Sequence, residues 1–199
     1  MPTAGVTITT ILVTRDRPAL LPDALASVGA QRLAPIEVRL ADDGDLAVGH
    51  DLEAPGVLEL AVIRCGARQV AAARNLAARG ARGDVLAFLD DDDRWLPDPL
   101  AGLVEVFRDP AIEVAYRDVV VVREELDASG ARCERGRRTI AHDWDAGLMR
   151  HDDFVAPSAL AIRRDLFERL GGFDESFRYS EDWDLLLRAA HATRPVRVP

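Results

Sequence analysis

Apolar and polar positions alternate along this chain in blocks that predict strands followed by helices. Val6–Val13 is rich in β-branched residues and reads as a buried strand. The polar turn Thr14-Arg15-Asp16-Arg17-Pro18 follows. Leu20, Leu21, Ala24, Leu25 and Val28 then recur at helical spacing, with Gly29 near the end. Ile36–Leu40 and Val57–Ile63 predict a second and third strand. Ala71–Arg79 is an Ala-rich helix stopped by Gly80 and Gly83. Val85–Leu89 is a fourth strand, and Leu96–Phe107 a helix with Leu100, Leu103, Val104 and Phe107 on one face.

The second half is less regular. Ile112–Tyr116 and Val119–Val122 are strand material, while the polar, Gly-containing Glu124–Arg138 predicts a loop or hairpin. Ser158–Ile162 is a strand, Asp165–Leu170 a helix closed by Gly171-Gly172, Ser180–Ala190 a further helix, and Pro195–Val198 an extended segment. Strands alternating with helices imply βαβ units and a mostly parallel sheet flanked by helices. No repeat or linker divides the chain. The expectation is one domain over residues 1–199, with the nucleotide-binding pattern in 6–107 and an appended, less regular lobe in 108–199.

Two acidic clusters stand at predicted strand ends: Asp42-Asp43 after the second strand, and Asp90-Asp91-Asp92-Asp93 after the fourth. The C-terminal edge of a parallel sheet is where open α/β folds bind ligands. Four carboxylates after a buried strand repel one another without a counter-charge, and hard divalent cations take oxygen ligands. One pocket could hold a ribose or base on the first cluster and a metal-bound diphosphate on the second.

Charge and composition narrow the choice. The net charge of −9 and the lack of a basic stripe disfavour nucleic acid as the main partner. All 25 residues counted as Lys or Arg are Arg. P-loop nucleotide binding and Schiff-base chemistry need a lysine, as do the dehalogenase-type phosphatases and receiver domains that share Asp clusters at strand ends. Cys65 and Cys133 form no metal-type pair, and no apolar run approaches a membrane span of ~20 residues. Met1-Pro2-Thr3-Ala4-Gly5 carries no signal-peptide pattern. A cytoplasmic location is expected, with peripheral contact at the inner membrane face if the acceptor is a lipid.

Six motifs in order resemble the family 2 glycosyltransferases of GT-A fold. They are Ile11–Pro18, Leu40-Ala41-Asp42-Asp43-Gly44, Ala72-Ala73-Arg74-Asn75, Phe88–Trp95, Gly171-Gly172-Phe173-Asp174-Glu175 and Ser180-Glu181-Asp182-Trp183-Asp184-Leu185. The resemblance runs from about Val6 to Ala190 and makes 108–199 the acceptor-side half. It implies inverting, metal-assisted transfer from a nucleotide-sugar donor to a saccharide, lipid-linked or small-molecule acceptor. It further implies that Asp43, with Asp42, binds the nucleoside, and that Arg74 lies near the donor diphosphate. Asp90-Asp91-Asp92 matches the D-x-D motif. Asp92 is then the principal ligand of Mn²⁺ or Mg²⁺, and Asp90 and Asp91 contact the sugar nucleotide and the metal shell. Asp182 matches the general base, with Glu181 and Trp183 beside the substrate. Asp16 stands where the family often has Asn, and Val13 where it often has Pro. Two alternatives stay open: a sugar-1-phosphate nucleotidyltransferase, though the expected Gly-rich loop with a Lys is missing, and a non-catalytic nucleotide-sugar or metal-binding module.

Overall fold

The computed structural model describes residues 5–49, 52–127 and 132–199. Residues 1–4 of the N-terminal reading and 128–131 within the predicted loop lie outside them. The main sheet has seven strands: β1 (Ile8–Thr14), β2 (Glu37–Asp42), β3 (Leu60–Arg64), β4 (Val85–Asp90), β5 (Val114–Arg117), β8 (Leu160–Arg163) and β9 (Val196–Val198). Their spatial order is β3-β2-β1-β4-β8-β5-β9. β1 through β4 are mutually parallel, and β5 pairs in parallel with β9. β8 runs antiparallel between β4 and β5. The sheet is thus mostly parallel, as expected, with one reversed strand that the sequence pattern did not reveal.

Helices α1 (Leu21–Gly29), α2 (Val70–Ala78), α3 (Pro99–Val106), α4 (Arg164–Arg169) and α5 (Glu181–Ala192) cover the sheet. Strand side chains alternate between faces, and β4 shows how this sorts the core. Val85 and Ala87 meet Leu100, Leu103 and Phe107 of the α3 region, and Leu89 meets Leu21, Leu25 and Val28 of α1. Leu86 and Phe88 point the other way, into a cluster with Ala73 and Ala77 of α2, Phe167 of α4 and Leu185 of α5. Phe88, Phe167 and Phe173 interlock there with ring centroids 5.2–5.9 Å apart. Burial on both faces explains why β4 reads as a continuous apolar run.

The polar segment at 124–138, expected as a loop or hairpin, contributes to a hairpin of β6 (Val119–Leu126) with β7 (Arg132–Ile140), in a separate two-stranded sheet. It has little apolar alternation because it stands away from the core. Pairs such as Arg135–Glu125 tie its two strands, and Arg94–Glu124 ties it to the loop after β4. No helix among the described residues is long and apolar enough to cross a membrane.

Candidate active site

Parallel pairing brings the C-terminal ends of β1 through β4 to one edge. The loop after β2 is locked there. Asp42 is buried, and both its oxygens are occupied: Oδ1 accepts from the Gly44 N–H, and Oδ2 from the Val48 N–H and from Arg64 at 2.7 Å. Asp43, also buried, accepts from the Arg68 N–H at 2.8 Å. It lies against Cys65, whose thiol is raised above the usual range, first by burial and further by the Asp43 charge. Asp16 has a left-handed φ of 53°, a region Asn and Asp tolerate better than most residues. Its Oδ1 caps the Asp45 N–H at 2.8 Å and tethers the loop after β1 to the loop after β2. That task suits either Asp or Asn, which accounts for the departure at this position.

Of the four aspartates at the end of β4 and just after it, Asp91 is buried, Asp90 is partly buried, and Asp92 and Asp93 are exposed. Asp91 is 4% exposed; Oδ2 accepts from Thr14 Oγ1 at 2.6 Å and Oδ1 from Arg17 at 3.1 Å. Burial raises its pKa, with Thr14 and Arg17 opposing. Asp90, Asp92 and Asp93 present carboxylate oxygens that all lie within 4.8 Å of one another. Three such oxygens on one short turn suit a hard divalent cation. Asp93 therefore joins Asp90 and Asp92, the two metal ligands expected from the sequence, as a candidate ligand. Lost solvation raises the Asp93 carboxyl, and the charges of Asp90, Asp92 and Asp91 raise it further. Ser158 accepts from the Asp90 N–H at 3.0 Å and its carbonyl accepts from Trp95 Nε1 at 2.8 Å, so the turn is pinned from η2 (Pro157–Ala159), the short helix just before β8. Trp95 is a packing residue between two core clusters.

Arg74 joins this turn to the start of α5. It is 3% exposed, with Nη2 2.6 Å from Asp90 Oδ1 and Nη1 2.5 Å from buried Glu181 Oε1. Its guanidinium also lies over the Phe173 ring at 5.3 Å. Burial works against the charge, but Asp90, Glu181 and Asp182 outweigh it and hold Arg74 protonated. Asp182 follows Glu181 in the first turn of α5, where the helix dipole favours a carboxylate. Trp183 Nε1 donates to the Met149 carbonyl at 2.6 Å, which fixes the indole. Partial loss of solvation lifts the Asp153 carboxyl to about 6, and the charge of Asp182 contributes to the rise.

The residues that aim α5 had no role assigned from sequence. Asn75 donates to the Phe173 carbonyl at 2.8 Å and accepts from the Phe173 N–H at 2.9 Å. Gln69, the N-cap of α2, donates to the Phe177 carbonyl at 3.0 Å and accepts from the Ala72 N–H. Gly172, with φ of 74°, passes so close that a Cβ there would lie 2.5 Å from Asn75 Oδ1. Helix α2 thus clamps the segment that leads into Glu181-Asp182. The structure brings the expected residues to one sheet edge, but Asp42, Asp91 and Glu181 spend their carboxylates on internal partners.

The mostly parallel sheet with an acidic turn at its C-terminal edge has the GT-A architecture. The profile of "Glycosyl transferase family 2" matches residues 9–171, and the chain belongs to that family. It is 30% identical over 193 residues to the uncharacterized glycosyltransferase YwdF of Bacillus subtilis, covering 96% of this chain and 71% of that one. It is also 30% identical to the O-antigen biosynthesis protein RfbC of Myxococcus xanthus, covering 89% of this chain but 14% of RfbC. The crystal structure of S. aureus TarS 1-349 in complex with UDP superposes with a TM-score of 0.69 at 15% identity. That match covers 96% of this chain and 57% of TarS 1-349, and at this identity it is a likeness of fold.

Proposed function

We propose that this chain transfers a sugar from a nucleoside diphosphate sugar to an acceptor hydroxyl with inversion at the anomeric carbon. The observation that carries the proposal is the buried Arg74, which joins a donor-side carboxylate, Asp90, to the residue next to the candidate base. That link makes donor and acceptor subsites parts of one rigid unit.

In this reading Asp43 and the loop shaped by Asp42 receive the nucleoside. Asp90, Asp92 and Asp93 hold Mn²⁺ or Mg²⁺, and Asp91 and Thr14 keep their turn in place. The bound ion supplies positive charge for the departing diphosphate. Asp182 takes the proton of the acceptor hydroxyl as its oxygen attacks the anomeric carbon. The new C–O bond forms on the face opposite the breaking bond to the diphosphate, so a single carboxylate suffices and the configuration inverts. Trp183 and the neighbouring aromatic group of Trp144 and Phe154 wall the acceptor side. The acceptor is a saccharide, a lipid-linked saccharide or a small molecule.

The test is a panel of uridine, guanosine and thymidine diphosphate sugars with Mn²⁺ and no acceptor. One base class should release free nucleoside diphosphate slowly, and EDTA should stop the release. Tight binding of a donor with no release, with or without added saccharide acceptors, would instead identify a binding module.

A further inference from the structure

Arg17 occupies an unusual position beside the aspartate turn. Its Nη1 lies 3.1 Å from Asp91 Oδ1 and 2.6 Å from Asp92 Oδ2. The two partners differ in kind. Asp91 is buried and fixed on its other oxygen by Thr14. Asp92 is 50% exposed, Arg17 nearly as much, and Asp92 also belongs to the triad with Asp90 and Asp93. The Arg17 backbone is held by the Leu20 and Leu21 N–H groups on its carbonyl. One nitrogen, Nη1, therefore bridges a fixed, buried carboxylate and an exposed one, and of its two contacts the one to solvent-facing Asp92 is open to exchange. A divalent cation on Asp92 would stand within a few ångströms of that guanidinium, and like charges at such range repel.

We propose that Arg17 is a resident counter-cation that competes with the divalent ion for Asp92 and moves to the donor diphosphate when both ligands bind. This rests on the metal site of the proposed function. The exchange has a thermodynamic signature. Without nucleotide, the ion must displace Arg17 and binds weakly. With nucleotide present, the diphosphate offers Arg17 a new partner, so nucleotide and ion each favour binding of the other. Arg17 is thus a donor-binding residue whose part in the absence of ligand is to neutralise Asp92.

The test is calorimetric titration with Mn²⁺ alone, and with Mn²⁺ plus uridine, guanosine or thymidine diphosphate. It uses the full chain and its Arg17→Gln, Arg17→Lys and Asp92→Ala variants, with thermal unfolding as the check of folding. Arg17→Gln should bind Mn²⁺ alone about 1.5- to fivefold tighter, the range expected for a half-exposed ion pair. It should also bind nucleotide more weakly at saturating Mn²⁺. Arg17→Lys, which keeps the charge, should stay nearer the parent in Mn²⁺ affinity. If Asp92→Ala loses Mn²⁺ but Arg17→Gln binds it no tighter than the parent, the exchange is overturned and the metal site stands. If neither the parent nor Arg17→Gln binds Mn²⁺ with or without nucleotide, both fall.

Discussion

Asp182→Asn is expected to slow sugar transfer by about 10²- to 10⁴-fold, the usual contribution of a positioned general base. The substitution keeps the size of the side chain and its place in the first turn of α5. It removes the acceptor for the hydroxyl proton and leaves Asp90, Asp92 and Asp93 untouched. Metal-dependent nucleotide affinity should therefore stay within about twofold of the parent. Initial rates of transfer, read beside calorimetric affinity for nucleoside diphosphate, check both halves. A variant as active as the parent would remove Asp182 from its role; one that also lost nucleotide affinity would mean that Asp182 acts on the donor.

Arg74→Met should destabilise the fold by about 3–5 kcal/mol, because it leaves buried Glu181 and partly buried Asp90 without their shared counter-charge. Methionine keeps an unbranched apolar stem against Phe173, so lost packing is a minor part of the cost. The companion Arg74→Met/Glu181→Gln removes one orphaned charge and should recover part of the loss. Urea unfolding of the parent and both variants measures this. A single variant within about 1 kcal/mol of the parent would show that the bridge does not hold the two subsites together.

The course of the chain was legible where burial imposes a period. β1, β2, β4 and the helices α1 and α2 follow the apolar pattern closely, because both faces of those strands are covered. β8 was legible as a strand but not in its direction, since Leu160–Arg163 has the same pattern read either way; only its place between β4 and β5 reverses it. For the β6–β7 hairpin the sequence left loop and hairpin open, because cross-strand ion pairs hold it in place of an apolar face.

The aspartate run stood out in the sequence as a candidate site, but which of its carboxylates turn inward did not. The reason is the alternation of β4 carried past its end. Asp90 continues the face of Leu86 and Phe88, which looks toward α2, and so meets Arg74. Asp91 continues the face of Leu89, which looks toward α1, and so meets Thr14 and Arg17. Arg17 and Asn75 drew no role because each contacts a partner distant in sequence: Asp92 and Phe173. A linear motif carries no sign of such partners.

The central claim, that this edge binds a nucleoside diphosphate through a divalent ion on the aspartate turn, is tested most directly by one titration. Uridine, guanosine and thymidine diphosphates are titrated into the parent and Asp92→Ala, each with Mn²⁺ and with EDTA. The parent should bind one of them only with Mn²⁺, and Asp92→Ala should lose that binding. Nucleotide affinity that is the same in EDTA, or unchanged in Asp92→Ala, would contradict the account.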